Sequence, residues 1–342
     1  MIYQWNEIKC RYSDLLLLGN GASRAINNGF AYNNLKERAA EIGIFDGGHQ
    51  DLFDRFETAD FEYVLRKLWQ TSLVNEVFEV EHHRVQDAYT QIRDALVRSV
   101  RAVHPEYAVV DQQNTIRNVY NFIRQFKTVA ALNYDLIVYW AVMYGRDLRD
   151  GYEVKDCFTV RSAEGNRFDS DWEEYRAPYR DANNHVTLVF YPHGCLSLVK
   201  GNSGLDIKIS VRNELNLLDE ITNRWNDAGL IPVFVSEGRS EEKLESIRSS
   251  QYLSTVYFEA LTQPCDSLTV YGWDFGSQDL HILKALKKAA PNRVAVSVYN
   301  NDEDYCERIS RVIRQRVSLD VEIDFFHSDS PGCWSHPVPN PV

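Results

Sequence analysis

Three short stretches of this 342-residue chain put reactive or ligand-holding residue types where an apolar run hands over to a turn. The first is Gly19-Asn20-Gly21-Ala22-Ser23, which follows the apolar run Leu15 to Leu18 and precedes helical composition from Ala22 to Ile42. Glycines there permit a close turn, and free N–H groups at a helix start favour a phosphate, so a dinucleotide suits such a turn. The dehydrogenase fingerprint wants a third glycine where this chain has Arg24, and no acidic strand end follows at the required distance. Alone, the segment reads equally well as a structural turn.

The second stretch, Asn133-Tyr134-Asp135, ends an expected strand from Thr128 to Leu132. Asparagine orients a water or a ribose hydroxyl, and aspartate holds a ribose or fixes a neighbouring loop. Taken alone, a capped helix start is the commoner meaning of such a triplet. The third is His193-Gly194, after VTLVFYP, where an imidazole titrating near neutrality can act as general base on a sugar hydroxyl. The other histidines, His49, His82, His83, His104, His185, His281, His327 and His336, lack such a placement and read as surface or core residues.

The elements that must carry these turns follow from periodicity. From Asp51 to about Arg124, apolar residues recur every three or four positions, as in DFEYVLRKLWQ and EHHRVQDAYTQIRDALVRSVRAV, which predicts helices. The polar stretch from Asp150 to Asn184 predicts an irregular surface excursion without chemistry. Beyond it, VTLVFY, IPVFV, SLTVYG, VAVSVY and VEIDFF are short β-rich runs, and the last three alternate with helical segments, the rhythm of a parallel sheet. The expected fold class is α/β, a Rossmann-like, doubly wound, mostly parallel sheet carrying an inserted helical module. Residues 1–48 and 127–330 would form the sheet domain, 49–126 the insertion and 331–342 a Pro-rich, extended tail.

Composition narrows the functional classes. Hydrophobic residues at 44% and charged residues at 25% belong to a globular protein with a packed core. A net charge of -12, with no concentrated Lys and Arg track, argues against direct nucleic-acid binding. The six cysteines are scattered with no C-x-x-C pair, so no metal site is expected from them, and they read as reduced thiols of a cytoplasmic protein. The N-terminus has no signal-peptide pattern and Leu15 to Leu18 is far too short to span a bilayer, so neither secretion nor membrane insertion is expected.

In chain order, Gly19-x-Gly21-Ala22-Ser23, Asn133-x-Asp135, His193-Gly194 and Tyr271-Gly272 with Asp279 resemble the sirtuin pattern. The resemblance is closest to its bacterial SIR2-like branch, and there to stand-alone DUF4917-type proteins sharing GNGAS, NYD, YPHG, FVSEG and the YG…QD segment, from Leu15 to about Asp329. It implies that Gly19, Gly21, Ala22 and Ser23 bind the pyrophosphate of NAD+, that Asn133 and Asp135 approach its nicotinamide ribose, and that His193 is the base. Gly272 and Asn300 would contact the adenosine half, while of the signature after the first loop only Phe30 is matched. The two C-x-x-C pairs of zinc-binding deacylases are missing, so neither a zinc module nor an acyl-lysine groove is expected.

With Asn133 and His193 as catalytic residues, the implied activity is NAD+ glycohydrolysis, NAD+ being the substrate, in bacterial defence against phage. The alternative is a non-catalytic sensor of NAD+ or an ADP-ribose derivative that controls a partner. Restraint of such an activity implies a homo-oligomer or a regulatory protein partner, with the helical insertion as the assembly surface or a lid.

Overall fold

The computed structural model describes residues 1–30, 35–41, 43, 47–162, 165–177, 185–201, 204–209, 217–225, 230–235 and 239–338. The strands in chain order are β1 Ile2–Tyr3, β2 Leu15–Leu18, β3 Thr128–Ala131, β4 Glu153–Lys155, β5 Phe158–Arg161, β6 Asn166–Phe168 and β7 Val186–Phe190. They continue with β8 Gly194–Lys200, β9 Asp206–Lys208, β10 Ile231–Phe234, β11 Ser267–Tyr271, β12 Arg293–Val298 and β13 Glu322–His327. Eight of them form a central sheet in the order β1-β13-β12-β11-β2-β3-β7-β4, every pair parallel. The protein is thus α/β with a parallel central sheet.

The four leucines of β2 are all buried, as the middle strand of a sheet covered on both faces requires. Register then decides which loops meet. Leu18 pairs with Ala131 on one side and Tyr271 on the other, and Ala130 pairs with Phe190. Gly19, Leu132 and Gly272 therefore leave the sheet at one level, and Asn133 and His193 each lie three residues beyond the Ala130–Phe190 pairing. The chain leaves β2 toward β3 on one side but leaves β11 toward β12 on the other, so winding direction reverses between β2 and β11. In open α/β sheets the crevice beyond the strand ends at such a reversal is where ligands bind.

A second, five-stranded sheet in the order β10-β8-β9-β6-β5 is antiparallel throughout. Among the described residues of the stretch from Asp150 to Asn184, β5 and β6 of this sheet and β4 at the edge of the central sheet replace the irregular chain expected. IPVFV is a strand as predicted, but it belongs to this second sheet.

Between β2 and β3 lie helices including Phe61–Val77 and His83–Val103, which pack on each other. The second buries Ile92, Leu96, Val100 and Val103, a stripe at helical spacing. The C-terminal segment departs from the extended tail expected: residues 331–335 form turns, and Cys333 and Trp334 are buried. The Trp334 indole N–H donates to the Ala22 carbonyl at 2.8 Å, and its ring lies against Tyr271 and Phe122. Among the described residues no helix is long and apolar enough to cross a membrane.

Candidate functional site

Four loops converge at the C-terminal edge of the central sheet, those after β2, β3, β7 and β11, and Val235, just past β10, joins them through the His193 carbonyl. Across the reversal point, the Gly19–Gly21 turn packs on Gly272. The Gly21 N–H donates to the Gly272 carbonyl at 2.7 Å, and the Gly19 N–H to the Tyr271 carbonyl at 2.9 Å. A Cβ on Gly21 would sit 2.7 Å from the Gly272 oxygen, and one on Gly272, whose φ is +68°, would sit 2.3 Å from the Ala22 nitrogen. These glycines are needed for contact between two backbones. The Ala22 N–H donates to the Gly19 carbonyl, so the Gly21 and Ala22 amides expected to cradle a phosphate are already engaged.

The Ser23 hydroxyl donates to Asp135, and the Asn133 amide nitrogen donates to both Ser23 Oγ at 2.6 Å and the Gly19 carbonyl at 3.0 Å. Only the NH2 group can donate to a carbonyl, so this fixes the Asn133 amide orientation. Both amide hydrogens are used, which leaves Oδ1 as the group that half-buried Asn133 presents. Burial pushes the Asp135 carboxyl up, against the opposing Ser23 and Ile137 hydrogen bonds. Asp135 also accepts from the Ile137 N–H at 2.9 Å, so it caps the following helix as well as holding Ser23.

His104, at the end of the inserted helix, pins this loop from outside. Its Nε2 accepts from the Leu136 N–H at 3.1 Å, its Nδ1 faces the Pro105 carbonyl at 2.9 Å, and Phe30 stacks edge-on against its ring. Burial pulls His104 down to about 4, so it is a neutral, structural imidazole.

His193 is buried and anchored by its own backbone, whose carbonyl accepts from the Val235 N–H at 2.7 Å. Its Nε2 lies 2.8 Å from Nε2 of His281, which heads the helix Leu280–Ala289. Burial holds His193 well below the ordinary imidazole value, assisted by the Lys243 charge, and burial brings His281 to about 4. Asp279 accepts from Lys243 Nζ at 2.9 Å and from the Trp273 indole at 3.3 Å. Burial alone would raise its carboxyl, but the Lys243 ammonium bonded to it holds it below the usual range. At 4.0 Å from a neutral ring, Asp279 is a counter-charge in waiting rather than an ion-pair partner of His193.

The tautomers of the pair follow from Ser240. Its Oγ accepts from the His281 backbone N–H at 2.9 Å, and its own hydrogen is aimed at the acceptor facing it, His281 Nδ1 at 3.1 Å. His281 therefore carries its hydrogen on Nε2 and donates it to the lone pair of His193 Nε2, which leaves the hydrogen of the neutral His193 ring on Nδ1. The chain runs Ser240 to His281 to His193, one hydrogen per link.

By donor type His193, Asp279 and His281 could hold a metal, their ligating atoms lying within 4.8 Å of one another. Lys243 already balances Asp279, however, so a divalent ion would leave excess positive charge in a buried cluster, which is costly. The bond between the two rings and the Lys243 and Trp273 bonds to Asp279 satisfy the same atoms without that cost.

Of the residues singled out in the sequence, Gly19, Gly21, Ala22, Ser23, Asn133, Asp135 and Gly272 form one bonded unit, while the His193 side chain bonds His281 instead. Asn300 stands apart, exposed with φ +52° in the turn after β12, and joins none of these bonds among the described residues. In FVSEG, Phe234 and Val235 are in place, while 236–238 lie outside the described residues, as does 31–34 of the segment after Phe30. Ser240, Lys243 and His281 were not anticipated. The one available signal for His281 was its position two residues past Asp279.

The chain belongs to the family described as Domain of unknown function (DUF4917), whose family model matches residues 16–334 and so takes in every residue of this cluster. No curated protein matches it.

Proposed function

For this member of the DUF4917 family, we propose NAD+ glycohydrolysis: cleavage of the nicotinamide–ribose bond to release nicotinamide and ADP-ribose. The observation that carries the reading is the Asn133 amide, which ties the turn after β2 to the loop after β3 at the sheet's reversal point, with His193 alongside. A sirtuin-like ligand position at that edge accounts for the four motifs and their order. Departure of nicotinamide develops positive charge on the ribose, and Asn133 Oδ1, held outward, orients the water that attacks it. His193 takes a proton from that water or from a ribose hydroxyl, and Asp279 compensates the resulting imidazolium. Ser23 and Asp135 hold Asn133 in place, and Gly272 shapes the crevice toward the adenosine half.

Calorimetric titration with ADP-ribose, in parallel for the unaltered protein and Ser23→Ala, tests the location. We expect binding that weakens at least several-fold in the variant. Identical affinities would refute the assigned site, and binding of NAD+ without turnover would convert the reading to that of a sensor.

An assembly contact is supported by the tip of the helical hairpin, where Leu73, Val74, Val77, Phe78 and Val80 are all exposed. Light scattering should then show an oligomer that Phe78→Ser dissociates, and a monomer in both would remove that role.

A further inference from the structure

The His193–His281 contact occupies the one nitrogen that a base at His193 must use. With the hydrogen of neutral His193 on Nδ1, its lone pair, on Nε2, receives the His281 hydrogen at 2.8 Å. Both rings are buried, and Ser240 and the Tyr257 hydroxyl, which donates to the His281 carbonyl at 2.7 Å, hold His281 in place. A buried, unpaired imidazole lone pair would be costly, so Nε2 needs such a donor whenever no ligand supplies one.

We propose that His281 is the internal stand-in for a ligand hydroxyl: it sets the reactive tautomer of His193 in the ligand-free protein and yields Nε2 to a sugar hydroxyl when ligand binds. The proposal rests on the nucleotide reading for the ligand's identity, but the tautomer pair rests on the geometry alone. In the reactive step the hydroxyl O–H bond breaks and an N–H bond forms at His193 Nε2, while the hydrogen on Nδ1 stays in place. The imidazolium so formed lies 4.0 Å from Asp279 Oδ1, which carries its compensating charge. His281 and Ser240 are positioning residues, acting on the ligand only through His193. Their arrangement selects a donor group in the ligand, a hydroxyl of ribose type, over an ether or carbonyl at that point, because an acceptor there would face the His193 lone pair.

The test uses the full chain labelled with 15N in histidine. Long-range proton–nitrogen spectra of the ligand-free protein should give opposite tautomers, hydrogen on Nδ1 for His193 and on Nε2 for His281, and addition of ADP-ribose should shift His193 Nε2 and alter His281. The same tautomer at both rings, or bound ADP-ribose that moves neither, would overturn the proposal. Failure of ADP-ribose to bind would instead overturn the nucleotide reading and the ligand half of this one, leaving the tautomers to decide the rest. In titrations, His281→Phe, which removes the competing donor, should bind ADP-ribose about five-fold tighter, the worth of one ordinary hydrogen bond. His281→Gln, which keeps an N–H donor, should return to the unaltered affinity. A purely structural His281 would make His281→Phe bind more weakly, which contradicts the proposal. Ser240→Ala keeps the test open should the aromatic variant fail to fold, since loss of the serine hydroxyl must turn the His281 tautomer population and leave the fold intact.

Discussion

His193 and His281 turn the same ring nitrogen toward each other across 2.8 Å, although 88 positions separate them in the chain. Such a bond needs a lone pair on one of the two rings, because two donors cannot share it, and it is lost when both are protonated. Burial disfavours the charged form of each ring, which keeps that lone pair available.

A pH dependence of stability follows. His193, His281 and His104 all have folded pKa values below the ordinary 6.5, with His281 and His104 near 4. Between those values the unfolded chain binds more protons than the folded one, so stability falls as pH drops through that window. Full stability is expected above about pH 6.5, with progressive loss toward pH 4. Urea midpoints between pH 7 and 4 check this, and His281→Gln should flatten the profile by its share. A midpoint that rises on acidification would contradict the neutral-pair assignment.

Gly272 is the tightest point of the loop contact. Its φ of +68° is unfavourable for a side chain, and an added Cβ would meet the Ala22 nitrogen at 2.3 Å. Gly272→Ala should cost about 2 kcal/mol or more, the sum of backbone strain and a forced separation of the two loops. A fall of several degrees in melting temperature is expected for a chain of this size. Because the same separation disturbs Gly21 and Ala22, ligand affinity should fall with it; an unchanged melt would show that the two loops are free to part.

Asn133 distinguishes orientation from simple presence. Its amide donates to an oxygen of Gly19 and to Ser23, which itself donates to Asp135. Asn133→Asp would replace the donor by a second carboxylate facing a carbonyl and lying one hydroxyl away from Asp135. It should therefore destabilise the fold more than Asn133→Ala, despite its closer shape. Denaturant melts of the two variants decide the order, and the reverse order would dissolve the assigned network.

Much of the frame was legible in the sequence, for physical reasons. Leu15 to Leu18 is apolar on both faces and ends in glycine, which only a buried central strand before a tight turn explains. The last three strands alternate with amphipathic helices and appear as predicted in β11, β12 and β13. The second sheet was not legible because β6 and β9 have three residues each and carry Asn, Arg, Asp and Lys. Such strands are specified by partners distant in the chain rather than by local alternation. At the site, Ser23, Asn133 and His193 announced themselves by standing at strand ends. His281 did not, because LHILKALKKA is a good amphipathic helix in which a buried histidine looks like one more core residue. Ser240 and Lys243 lie in a polar helix whose inward face is set by tertiary packing alone.

The most direct test of the account is nicotinamide release from NAD+ by the purified full chain, followed by chromatography for the unaltered protein, Asn133→Ala and His193→Ala. Release by the unaltered protein and its loss by at least 100-fold in each variant is the expected result. Absence of release from the unaltered protein, or release that persists in both variants, would contradict the assignment of these two residues to NAD+ hydrolysis.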